Sequence, residues 1–373
     1  YKTTDNYANL TYIIGPADAD TGIPDEDFTR GQSGYDLEIE IDPSSNDIVY
    51  VGGIDWFRSQ DGGGSWSQIT KWSNNNNLFG LGCSLVHADQ HGLYFRPGLP
   101  NQAIVANDGG IAYSSNLLDA HEIKTFTENE AGMITTQFYT VAQSPIDFAG
   151  SDYIAGGTQD NGSYELVNSN KFHTPGTTLT SGDGAETVFD QVGGDYMLTN
   201  YVYNNSITRI GFDVSGTQEG FWLWNDLSNT LVPPIPDGEG SFINPGALDS
   251  NQDVYFANAG NDIRVITGLE RGGTPETFFI TNVTSGLDYI TTLEVSRHTT
   301  DTSTIFVGLR SGIVKKITNA NSNPGYVISG NLHSQAGSVS DIHIGASENE
   351  LFVTYYNYGI NNNIIYTQDQ FST

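Results

Sequence analysis

Two carboxylates hold equivalent places in this chain: Asp108, in Asn107-Asp-Gly-Gly110, and Asp160, in Gly157-Thr-Gln-Asp-Asn-Gly162. Each follows a β-forming run and precedes a glycine-containing turn. Two convergent carboxylates, one protonated and one ionised, are what glycosidic hydrolysis needs. Aspartate before glycine is equally a standard turn residue, so the pair is either catalytic or structural. His87-x-Asp89-x-His91 is the most unusual polar cluster. In an extended chain, alternation puts all three side chains on one face. There they can hold a transition metal, act on a ligand, or form an orienting network in which Asp89 fixes a histidine tautomer. Asp183, in Ser181-Gly-Asp-Gly-Ala-Glu186, and Asp36 stand at matching points ahead of two β-runs, where they line a site or cap loop N–H groups. The candidate set is therefore Asp108 and Asp160 for catalysis, with Asp36, His87, Asp89, His91, Gln159 and Asp183 for substrate binding. Asp18 and Asp20, in Asp18-Ala-Asp-Thr-Gly22, are the metal candidates. Their loop superficially resembles a Ca²⁺ site but lacks the distal bidentate glutamate, leaving solvated acidic surface as the alternative.

The elements that must position these residues repeat. A β-run leading into a turn recurs as Val49-Tyr-Val-Gly-Gly53, Ile104-Val-Ala-Asn107, Tyr153-Ile-Ala-Gly-Gly157 and Tyr196-Met-Leu-Thr-Asn200. It returns as Val254-Tyr-Phe-Ala-Asn258, Ile305-Phe-Val-Gly308 and Leu351-Phe-Val-Thr354. A period of about 50 residues is the size of a propeller blade, a small sheet that cannot bury both faces alone. The expected fold is all-β: a seven-bladed β-propeller formed as one domain, 1–373. Blades are expected near 35–70, 86–128, 137–172, 185–226, 242–280, 290–330 and 338–373. Asn9-Leu-Thr-Tyr-Ile-Ile14 is the expected ring-closing strand, completing the last blade.

Composition narrows the function. A formal net charge of −30, with 14 Lys and Arg among 373 residues, opposes binding of nucleic acid or anionic membrane. One cysteine, Cys83, gives no intrachain disulfide and reads as a buried spectator thiol. No run approaches the roughly 18 apolar residues of a membrane span. The chain starts at Tyr1 and stops in mid-repeat at Thr373, which suggests a processed piece of a longer exported protein. Nothing matches a nucleophile elbow, a zinc-protease helix or a P-loop.

Ser59-Gln-Asp-Gly-Gly-Gly-Ser-Trp66 matches the Asp-box pattern Ser-x-Asp-x-Gly-x-x-Trp at all four fixed positions, and Thr367-Gln-Asp-Gln-Phe371 looks like a degenerate second copy. The Asp-box specifies a hairpin, not an activity. Residues 31–190 resemble secreted bacterial BNR-repeat propellers related to the sortilin (VPS10) and xyloglucanase-like (family 74 glycoside hydrolase) propellers. The residues that carry this are Gly31-Gln-Ser-Gly-Tyr-Asp36, His87-Ala-Asp-Gln-His91, Asn107-Asp-Gly-Gly110, Gly157-Thr-Gln-Asp-Asn-Gly162 and Gly182-Asp-Gly184. The family 74 catalytic aspartate sits in an Asp-x-Gly-Gly context, which Asp108 resembles with one residue fewer. The resemblance implies a secreted or cell-surface protein on the bacterial exterior, directed at a polysaccharide or surface glycan. The alternative it implies is a non-catalytic adhesion module with a protein partner.

Overall fold

The computed structural model describes residues 1–128, 133, 135–145, 153–167, 176–212, 218–225 (strand only), 240–359 and 361–372. Chain contacts divide it into two compact units, Tyr1–Thr135 and Thr136–Thr373. Among the described residues there is no α-helix. Two short 3₁₀ turns, Asn76–Gly80 and Val202–Asn204, are the helical elements, and no helix is long and apolar enough to cross a membrane.

The protein is all-β, built from propeller-type antiparallel meanders. Seven sheets of three or more strands follow one another along the described chain, spanning residues 38–68, 90–128, 142–180, 184–225, 246–280, 290–334 and 338–367. The recurring run is the second strand in every one: Val49–Gly52, Leu99–Asn107, Tyr153–Thr158, Tyr196–Tyr201, Val254–Ala259, Ile305–Leu309 and Leu351–Tyr356. Second strands lie inside each sheet and carry a short, mostly apolar run. That explains why they were the readable part of each repeat. First strands are shorter or half-polar. The third sheet begins at Ala142–Gln143 rather than near 137, and it extends to Thr177–Thr180 rather than ending near 172.

In the first unit the two sheets share one core. Tyr50, Trp56, Leu93, Val105 and Leu117 pack together, with Tyr50 and Trp56 fully buried. Arg58, on the strand Trp56–Ser59, is 2% exposed. Its Nη1 donates to the carbonyls of Leu117 (2.5 Å) and Leu118 (2.6 Å), tying the first sheet to the loop inside the second.

The second unit repeats one packing step. Phe189, Met197 and Ile210 join the third and fourth sheets, and Leu198, Tyr255 and Ala257 the fourth and fifth. Phe256, Ile290 and Val307 join the fifth and sixth, and Phe306, Val339 and Val353 the sixth and seventh. Adjacent residues of one strand thus serve opposite neighbours: Phe306 faces forward and Val307 back.

The Asp-box closes as the motif requires. Ser59 Oγ donates to Asp61 Oδ1 (2.8 Å) and accepts from Gly63 N (2.7 Å), while Asp61 Oδ1 accepts from Ser65 N (2.8 Å). The second copy has the same wiring. Thr367 Oγ1 donates to Asp369 Oδ1 (2.8 Å) and accepts from Phe371 N (3.0 Å). Gly62 and Gly63 have φ of 68° and 93°; Gln370 and Phe371 adopt the same left-handed turn at 55° and 63° without glycine.

Asn9–Ile14 is not the expected strand. Apart from an isolated bridge between Lys2 and Thr11, residues 1–14 form no ladder. Trp66 Nε1 instead donates to the Ile14 carbonyl at 2.9 Å, and Ile13 lies against Gly63. The Asp-box turn captures the segment, and its β-forming side chains remain largely exposed. Cys83 is buried, as expected, and burial pushes its thiol up to about 11.

Candidate functional site

In the first unit Asp36 stands just ahead of the first sheet, His87, Asp89 and His91 stand at the entry of the second, and Asp108 sits in the turn between the second sheet's second and third strands. Asp108 lies between Leu99–Asn107 and Gly110–Ser114. His91 Nε2 sits 2.5 Å from its Oδ1, and the Tyr35 hydroxyl donates to both of its oxygens at 3.0 Å. The Tyr35 and His91 rings meet edge to face, with centroids 4.8 Å apart. Sequence reading passed over Tyr35, although it immediately precedes Asp36 in a motif that did attract notice.

The His87–His91 triplet is not one extended face. Asp89 adopts φ of 63°, a turn conformation that aspartate tolerates, and the strand begins only at Gln90. The charges of His87 and His91 nevertheless bear on the Asp89 carboxyl, so the bend gathers what alternation was expected to align. His87 sits over the Asp108 turn: a Cβ at Gly109 would come 2.5 Å from the imidazole Cγ. Only glycine leaves room for the ring.

Asp36 is fully buried, and neither carboxylate oxygen finds a hydrogen-bond donor among the described residues. Burial, followed by the nearby Asp89 charge, raises its pKa to about 6. Burial and then Asp108 push Asp89 upward too. Asp36, His87, Asp89, His91 and Asp108 therefore form one acidic, histidine-bearing cluster, edged by the half-exposed Tyr35. The corresponding turn of the first sheet also carries a carboxylate. It holds Asp55, fully buried, accepting from Gln68 Nε2 (3.0 Å) and Thr70 Oγ1 (3.1 Å) and pushed well above the usual range by burial.

Asp18 and Asp20 hold an internal cation. Arg30 donates through Nε and Nη2 to Asp18 Oδ2 at 2.9 and 2.8 Å, and its Nη1 lies 3.0 Å from Asp20 Oδ2. Its guanidinium also lies 5.6 Å from the centroid of the Trp72 ring. A planar five-donor cation thus meets both carboxylates of the acidic loop.

In the second unit Asp160 and Gln159 occupy the equivalent turn of the third sheet, between Tyr153–Thr158 and Gly162–Val167. Asp160 is left-handed, at φ of 60°. Its backbone N donates to Asp183 Oδ1 at 3.0 Å, and the Tyr201 hydroxyl donates to Asp183 Oδ2 at 3.4 Å. The Tyr139 hydroxyl donates to Gln159 Oε1. Burial, and then the charges of Asp160 and Asp183, hold that phenol above its usual range. The structure brings Gln159, Asp160 and Asp183 together within the unit.

Sequence reading missed the aromatic neighbours. Tyr139 and Tyr203 both approach Phe242 edge to face, at 6.5 and 5.5 Å. Phe242 opens a cavity of about 660 Å³, lined also by Asn258, Asp262, Asp288 and Tyr289. Asn258 is 1% exposed. Its Nδ2 donates to Asn244 Oδ1 at 2.9 Å, while its Oδ1 has no partner. Asn258 ends the repeated run Val254-Tyr-Phe-Ala-Asn258, at the point where the earlier repeat reads Ala106-Asn107; that alignment was the available signal.

No family model and no curated protein matches the chain. Among solved structures, the Mitotic Checkpoint Complex crystal structure aligns at 8% identity with a TM-score of 0.43, covering 89% of this chain and 94% of that one. The WD40 repeats of RRP9 align at 9% identity and a TM-score of 0.39, covering 77% and 93%. U3-55K aligns at 10% identity with the same score, covering 77% and 94%. At these scores the fold assignment rests on the sheets themselves.

Proposed function

We propose that the protein is a glycan-directed β-propeller that takes a neutral saccharide on its turn-borne polar sites. The observation that carries this is the cavity of about 660 Å³ in the second unit. Its half-exposed Phe242 and Tyr289 rings offer the apolar faces on which pyranose rings stack. The buried, unpartnered Oδ1 of Asn258 is a fixed acceptor, and Asp262 and Asp288 add further acceptors for hydroxyl groups. A chain with net charge −30 favours a neutral sugar over an anionic one. The acidic cluster of Asp36, Asp89 and Asp108 in the first unit offers the same acceptor chemistry beside Tyr35. Such a role fits the resemblance to secreted BNR-repeat propellers and a location on the bacterial exterior.

The test is titration with neutral plant and algal oligosaccharides of wild type, Phe242→Ala and Asn258→Ala. Each variant should bind at least about tenfold more weakly, the equivalent of roughly 1.4 kcal/mol. Unchanged affinity in both sinks the assignment.

A protein-docking role is favoured by a different observation. The outward face of the last sheet leaves Phe352, Tyr356, Ile364 and Tyr366 exposed. The equivalent Phe306, one sheet earlier, is fully buried under the first two strands of the next sheet. The matching partner is a protein that presents an aliphatic β-sheet face.

A further inference from the structure

A second cavity, of about 580 Å³, lies in the second unit between the fourth and fifth sheets. Its walls are Arg209 and Phe212, on the strand Ser206–Phe212, Asp195 in the turn before the strand Tyr196–Tyr201, and the glycine-rich loop Gly268-Leu-Glu-Arg-Gly-Gly273. No candidate named from the sequence lies in it.

Arg209 is 8% exposed. Its Nε donates to the Leu269 carbonyl at 2.8 Å, and its guanidinium packs 4.8 Å from the Tyr196 ring centroid. Its Nη2 is buried and has no hydrogen-bond partner. A guanidinium held rigidly by a ring and a carbonyl, with one nitrogen left unsatisfied on a cavity wall, carries an uncompensated cost unless an acceptor arrives. Arg271 lines the same space, and so do two acids, Asp195 and Glu270. The wall is thus balanced, with two cationic and two acidic side chains. A bare anion would meet both carboxylates and a bare cation both guanidiniums. A ligand that carries both charges satisfies the set. Gly268, at φ of 71°, sits with its Cβ position 2.2 Å from the Thr274 carbonyl, so the loop keeps its tight approach only with glycine there.

We propose that this cavity binds a free α-amino acid, its carboxylate on Arg209 Nη2 and Arg271 and its ammonium on Asp195 and Glu270. The site is independent of the saccharide sites, and its failure leaves them untouched.

The experiment is saturation-transfer NMR and calorimetric titration of the full chain with glycine, L-alanine, L-glutamate and L-arginine, with acetate and methylamine as single-charge controls. At least one amino acid should bind, with both controls about tenfold weaker or more. Arg209→Gln and Arg271→Gln should each weaken it by about tenfold, the loss expected for a charged hydrogen bond. Arg271 is exposed, so its variant keeps the test valid even where Arg209→Gln perturbs folding. Silence from all four amino acids, acetate binding as tightly as they do, or undiminished binding in Arg271→Gln would overturn the proposal.

Discussion

At the scale of single residues, the carboxylates separate by what surrounds them. Asp61 is held down, to about 2, by hydrogen bonds from Ser65 and Ser59. A depressed acid stabilises the fold above its unfolded value near 3.8, and that contribution disappears as the pH falls through about 2. Asp61→Asn should therefore flatten the acid limb of a pH–stability curve measured by thermal melting. Glu186 behaves in the opposite way, because burial raises its carboxyl to about 8. Its contribution is complete below the unfolded value of 4.5 and is lost as the pH rises through about 8. Glu186→Gln should remove this alkaline loss; melting temperatures at pH 5 and 9 that fall as far apart as in wild type would contradict it. Such differences are not legible in residue types. Asp108 and Asp160 stood out because each precedes a glycine-containing turn, and Asn258 was marked only by its place at the end of a repeated run, whereas Tyr35 completes its site through contacts that residue spacing does not encode.

At the scale of elements, the meander turns were readable and their partners were not. Every second strand was marked by its short apolar run, and the Asp-box by four fixed residues. The N-terminal segment shows the limit: alternation in Asn9–Ile14 gives strand potential, but the Trp66 indole, by taking the Ile14 carbonyl, decides where the segment goes. The likeness between Thr367–Phe371 and Ser59–Gly63 was visible because the hydroxyl and carboxylate that wire the turn are retained even where both glycines are replaced. Ser59 is fully buried within that turn. Ser59→Ala should cost about 1–3 kcal/mol in urea unfolding, since it strands the buried Gly63 N–H and removes one of the bonds to Asp61. Arg58 joins two elements rather than one. Its replacement by Met leaves the Leu117 and Leu118 carbonyls without their donor, and should cost about 2–4 kcal/mol in the same measurement.

At the scale of the molecule, each sheet of the second unit buries its forward face under the next, and cavity costs should follow that order. Phe306→Ala, in the interior of the array, should destabilise by about 3–5 kcal/mol. Phe352→Ala, at the same position of the last sheet but 40% exposed, should lie within about 1 kcal/mol of wild type. Urea unfolding of the two variants, compared directly, checks it: equal losses would mean that the last face is covered. The charge of −30 is a property of the whole chain. It opposes polyanionic partners, but it leaves the choice among neutral ligands to aromatic and amide groups that the fold, not the composition, brings together. The measurement that tests the glycan reading most directly is a glycan array of plant and algal polysaccharides, paired with assay of reducing-end release. The account predicts saturable binding to neutral glycans that Phe242→Ala abolishes, with release of sugar marking the bound glycans that are also cleaved. Neither binding nor release from any neutral glycan would contradict it.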